Sequence, residues 1–151
     1  MEYQIAVAHE ESQNALVVMQ SLVREEVPQF LNTAFPRVAE FVAQQGIKPS
    51  GPPFARYRVD GDTFHVTAGF PVPSGVAGSG HVLTDELPGG DIASTVHIGS
   101  YEDLPAAFHA VMEWLTGAGY EIAGEPWESY LDGPDVPQPR TQVNFPVTRG
   151  T

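Results

Sequence analysis

GPPFARY, residues 51–57, and GEPWESY, residues 124–130, are near-copies of one another 73 positions apart, with Ala55 in the first replaced by Glu128 in the second. The same shift superposes VPQFLNTAFPRVAEFVAQQG on SYEDLPAAFHAVMEWLTGAG. It matches Ser21 with Ser94, Leu31 with Leu104, Ala34 with Ala107, Phe35 with Phe108, Val38 with Val111, Glu40 with Glu113 and Gly46 with Gly119. FPV at Phe70–Val72 recurs at Phe145–Val147, two residues out of phase. Matches at a fixed spacing on core-type residues and glycines, in two copies only, indicate an internally duplicated domain and not a solenoid.

Each half reads as strand, helix, strand, strand: ALVVMQSLV, then FARYRV and TFHVTAGFPV, in the first; DIASTVHIG, then WESYLD and TQVNFPV, in the second. In the second helix Ser100 is placed to cap and Pro105 lies in the first turn. Tyr101, Leu104, Phe108, Val111 and Leu115 form one apolar stripe, and Gly117 and Gly119 provide the exit. The first helix repeats the stripe through Val27, Leu31, Phe35, Val38 and Val42, but Pro36 predicts a kink or two short helices there. The expected fold is α+β: a single domain over residues 1–151 with pseudo-repeats at about 13–72 and 88–147. The β-α-β-β modules build an antiparallel sheet with helices on one face and a ligand cleft on the other. The Gly, Pro and Ser-rich PVPSGVAGSGHVLTDELPGG between the halves reads as a connecting loop.

A formal net charge of -12 argues against direct nucleic-acid binding. The absence of cysteine excludes disulfides, thiolate zinc sites and a Cys nucleophile. The first residues carry no basic leader, and no stretch approaches the roughly 20 apolar residues of a membrane span, so a cytoplasmic protein without membrane contact is expected. The histidines show no ligand spacing with one another or with carboxylates, and SGVAGSG lacks the lysine and the strand-to-helix setting of a phosphate loop. Neither a metal nor a cofactor is expected.

Leu87-Pro88-Gly89-Gly90, His97, Gly99, Tyr101, Trp114, Glu128, Tyr130, Leu131, Asp132, Pro134 and the closing Pro146-Val147 occur in an order that resembles the GyrI-like small-molecule-binding domain. That domain is also the effector-binding part of multidrug-sensing transcription activators. The resemblance covers nearly the whole chain. It implies the duplicated fold, a cleft at the junction of the halves, open away from the helices, and an acid in the Glu-x-Tyr strand that meets lipophilic, often cationic ligands among aromatic rings. No DNA-binding segment is expected ahead of the duplication.

Strand alternation puts Glu128 and Tyr130 on one face and Trp127 and Ser129 on the other, with Ala55 and Tyr57 in the corresponding places of the first half. A sheltered carboxylate pays a desolvation cost that a ligand cation would offset, and aromatic faces add cation–π attraction. The candidate ligand contacts are therefore Glu128, Tyr130, Tyr57, Tyr101, Trp114 and His97. Tyr101 reads equally well as core, Trp114 and Trp127 read first as packing, and His97 reads first as a holder of loop backbone. Three activities fit: capture of lipophilic, cationic or aromatic molecules for sequestration or sensing; hydrolysis of lipophilic electrophiles, with Glu128 and Tyr130 as catalytic residues and Glu128 as general base; and inhibition of DNA gyrase by protein contact. The identity of any protein partner is not encoded in a recognisable motif.

Overall fold

A computed structural model describes residues 3–133 and 135–150. The chain forms two compact units: residues 12–88, and residues 89–151 together with 1–11. The first of these units contains β2 (Gln13–Leu22), α1 (Val27–Gln44), β3 (Phe54–Asp60), β4 (Thr63–Pro71) and β5 (Leu83–Leu87), with antiparallel strands in the order β3-β4-β2-β5. The other contains β1 (Ala6–Glu10), β6 (Gly90–Ile98), α2 (Leu104–Ala118), β7 (Tyr120–Ile122), β8 (Trp127–Tyr130) and β9 (Arg140–Arg149). Its order is β1-β6-β9-β8, and β7 pairs the far end of β9. Both are mixed α+β, each with one helix against one face of an antiparallel sheet.

The helices lie where their stripes predicted. Ala34, Val38 and Val42 of α1 pack on Leu16, Val18 and Ala68 of β2 and β4. Ala107, Val111 and Leu115 of α2, each 73 residues further on, pack on Ala93, Val143 and Phe145 of β6 and β9. Fully burying each of the larger aliphatic side chains contributes about 1.5–3 kcal/mol, enough for these few to set the helix orientation. Ser100 caps the 3-10 turn that leads into α2, its hydroxyl accepting from the Glu102 amide at 3.1 Å, and Gly119 ends the helix at φ 82° in the left-handed region.

Four sequence expectations change. First, α1 runs unbroken through Pro36. Pro36 is exposed, while Ala34 and Val38 on either side of it are anchored in the core. Burial of the flanking turns outweighs the one missing hydrogen bond. Second, the expected loop between the halves contains β5, which pairs with β2. Third, β1 and β7 are also strands. All three short strands are edge additions whose few residues carry no clear alternation. Fourth, the repeat offset is not uniform. The ladders place Ala55, Ala68 and Val18 side by side in one unit and Glu128, Val143 and Thr95 in the other. The offset is thus 73 for the third strand, 75 for the last and 77 for the first. Ser94 is consequently equivalent to Val17 and not to Ser21, because the first strand-to-helix connection is shorter in the second copy.

Candidate acidic–aromatic site

The β8 ladder decides which way the acid points. Glu128 is opposite Val143 and Tyr130 opposite Thr141, whereas Trp127 is opposite Asn144 and Ser129 opposite Gln142. Directly paired residues share a face, and Val143 belongs to the core under α2. Glu128 and Tyr130 therefore share a face as expected, but it is the helix-bearing face of their sheet, not the face turned away from α2. On the opposite face Trp127 is buried, and Asn144 Nδ2 donates to the Trp127 carbonyl at 3.4 Å and to Ser129 Oγ at 3.3 Å.

Glu128 is only 8% exposed. The Tyr130 hydroxyl donates to its Oε1 at 2.6 Å, the length of a strong charge-assisted bond. Tyr101, from the turn ahead of α2, stands edge-on to Tyr130 with ring centroids 6.1 Å apart. Tyr101 remains 37% exposed. Burial is the first cause that pushes the Tyr101 phenol above its ordinary 10.0, and the negative field of Asp132, Asp135 and Glu128 pushes the same way. Asp132 is itself held below its usual carboxylate value by Arg140, whose Nε and Nη2 donate to its two oxygens at 2.9 and 3.1 Å. The result is a sheltered acid beside two rings, with Asp132 and Asp135 also close enough to act on Tyr101. Glu102 and Asp103, in the turn itself, offset the positive end of α2.

Of the remaining candidates, His97 is 1% exposed and engages both ring nitrogens. Nε2 donates to the Ser100 carbonyl at 2.8 Å, and in the neutral ring Nδ1 accepts from the Tyr3 hydroxyl at 2.9 Å. It ties the end of β6 to the turn that carries Tyr101. Trp114 stacks on Tyr120 at 6.0 Å. Tyr120 pairs with Arg149, six residues along β9 from Val143, so Trp114 lies about 20 Å from the acid along the strand. Tyr57, opposite Val66, is half-buried on the helix-bearing face of the other unit, beside the fully buried Ala55. Thr141 was not anticipated: it sits between Tyr130 and His97 in the ladder, and its buried Oγ1 has no hydrogen-bond partner among the described residues. A lone Thr in an alternating strand gives no signal of that kind. Pro134, in the resemblance motif, lies outside the described residues. Among the described residues no group of three or more His, Asp or Glu side chains is placed to hold a metal ion. Among the described residues no helix is long and apolar enough to cross a membrane.

The model of the GyrI-like small molecule binding domain matches residues 16–147. The crystal structure of the EcmrR C-terminal domain is 21% identical, with a TM-score of 0.77 over 99% of each chain. EcmrR in its complex with DNA superposes with a TM-score of 0.82 over 99% of this chain, which spans 58% of that longer one. SAV2435 bound to tetraphenylphosphonium is 13% identical with a TM-score of 0.62, covering 98% of this chain and 94% of that one. A hydrolase from Listeria innocua is 14% identical with a TM-score of 0.69, covering 96% and 92%. At these identities the likeness establishes the fold. No curated protein matches the sequence.

Proposed function

Because the chain belongs to the family of GyrI-like small molecule binding domains, we propose that its small-molecule ligands are lipophilic cations with aromatic bulk, held by Glu128 with Tyr130 and Tyr101. The observation that carries this reading is the 8%-exposed Glu128 carboxylate with the Tyr130 hydroxyl 2.6 Å away, beside a partly exposed Tyr101. Lowering the surrounding dielectric raises the attraction between carboxylate and cation, and each ring face adds about 0.5–2 kcal/mol. Two rings and one point charge reward positive charge and flat bulk without demanding one shape. SAV2435, of the same fold, is bound to tetraphenylphosphonium.

Tetraphenylphosphonium and the neutral triphenylphosphine oxide, titrated calorimetrically against the wild type and Glu128→Gln, separate charge from shape. Losing a close charge contact in a partly desolvated site costs about 1.5–3 kcal/mol. The substitution should therefore weaken the phosphonium at least tenfold and the oxide less than threefold. Equal weakening of both ligands would remove the carboxylate from recognition.

A further inference from the structure

The duplication contains its own control for a second site. Beside α1, on the side of β2 away from β3, lies a cavity of about 330 Å³ lined by Val18, Gln20 and Leu22 of β2 and by Phe30, Thr33 and Arg37 of α1. Along its open side β5 pairs only with Gln13–Val17, and Val82 just before it is buried in the α1 core with Val18, so Met19–Leu22 lie beyond the covered edge. Among the described residues no strand pairs that stretch of edge.

The same groove in the other unit is filled. There Thr95 and His97 are the equivalents of Val18 and Gln20 by ladder position, and Asp103 is the equivalent of Phe30. The N-terminal segment continues the line of β1 over this place. Thr95 Oγ1 donates to the Gln4 carbonyl at 2.7 Å, the Tyr3 hydroxyl meets His97 Nδ1 at 2.9 Å, and Tyr3 and Ile5 pack on the α2 core. Burial, followed by the charge of Asp103, raises the Tyr3 phenol above its ordinary value. An extended segment with one aromatic and one aliphatic side chain is thus what this groove accepts where it is closed.

We propose that the open groove of residues 18–37 is a docking site for an extended peptide segment of a partner protein. The segment adds antiparallel to the β2 edge beyond β5 and places an aromatic side chain between Gln20 and Phe30. Strand addition supplies affinity through main-chain hydrogen bonds and specificity through the alternate side chains. Arg37 and Glu26 at the rim suit a peptide whose polar face carries both charge signs. A volume of about 330 Å³ admits a tyrosine ring with its backbone, whereas the mixed lining of Gln20, Gln29, Thr33 and Arg37 gives a free apolar ligand little to hold.

The probe is a synthetic peptide of residues 2–8, EYQIAVA, titrated into the full chain and followed by amide chemical shifts and calorimetry. Binding should move the amides of Met19–Leu22. Replacing the peptide tyrosine by alanine should weaken it at least tenfold. Thr33→Trp, which fills the groove from an exposed helix position, should weaken it tenfold or more while leaving tetraphenylphosphonium affinity within twofold. Gln20→Trp serves if the first variant unfolds. Any of four results overturns the proposal: no shift at Met19–Leu22 with millimolar peptide, shifts confined to β6, p-cresol binding as tightly as the peptide, or a dimer of this chain that Thr33→Trp dissociates.

Discussion

Tyr101 is the residue whose chemistry reports most directly on the acidic site. Its neutral phenol is favoured in the fold by burial and by three nearby carboxylates, so its ionisation belongs above 10.0. For a group whose folded value is raised, the stabilising contribution is fully present below the unfolded value and is lost as pH rises through the folded one. Phenolate absorbance should therefore show tyrosines titrating above pH 10, Tyr3 among them, and Tyr101→Phe should remove one equivalent from that late phase. A bound cation places positive charge against the same ring and should draw that titration back toward 10. An unchanged titration on saturation with tetraphenylphosphonium would place the cation away from Tyr101. Glu128 itself was legible as an exception, an acid where the copy has alanine. Thr141 and Asn144 were not, because a polar residue in an alternating strand looks the same whether its partner is a buried amide, an empty site or water.

At the scale of elements, Pro36 shows how far tertiary packing overrides local preference. A proline inside an exposed helix interior costs about 3 kcal/mol against alanine. The helix persists because Ala34, Val38 and Val42 are locked against the sheet on both sides of it. That cost is stored in the native state, so Pro36→Ala should stabilise the protein by about 1–3 kcal/mol in urea unfolding. No gain would mean that the backbone around residue 36 already bends to accommodate the ring. The strands make the complementary point. β2, β4, β6 and β9 were readable because long alternating runs repeat in both copies. Identity at one offset could not show that the first strand slips by four residues against the helix. Only the ladder pairs Val18 with Ala68 and Thr95 with Val143.

For the molecule as a whole the dominant long-range term is self-repulsion, with nineteen acids against seven Lys and Arg. Solvent-exposed pairs such as Arg140 with Asp132 add little and weaken with salt. Twelve uncompensated negative charges outweigh them. Raising ionic strength from 20 to 200 mM shortens the screening length from about 20 to about 7 Å. It should raise the unfolding temperature by roughly 1–4 °C, which corresponds to about 1 kcal/mol or less. A fall with salt would show that local ion pairs govern stability instead. The same field enriches cations around the protein and works with the Glu128 site rather than against it.

The sequence by itself determined the duplication, the α+β class, the two helical stripes, the alternation within β8 and the acid at 128 where the first copy has alanine. These follow from periodicity and identity, which the chain carries locally. Tertiary structure alone decided that Glu128 faces the helix side, that Tyr101 comes to Tyr130 across the turn before α2, and that the groove beside α2 is closed by Tyr3 while the one beside α1 stands open. Those are matters of which face meets which neighbour. A period of two or of 3.6 fixes the existence of a face, and only packing assigns it a partner.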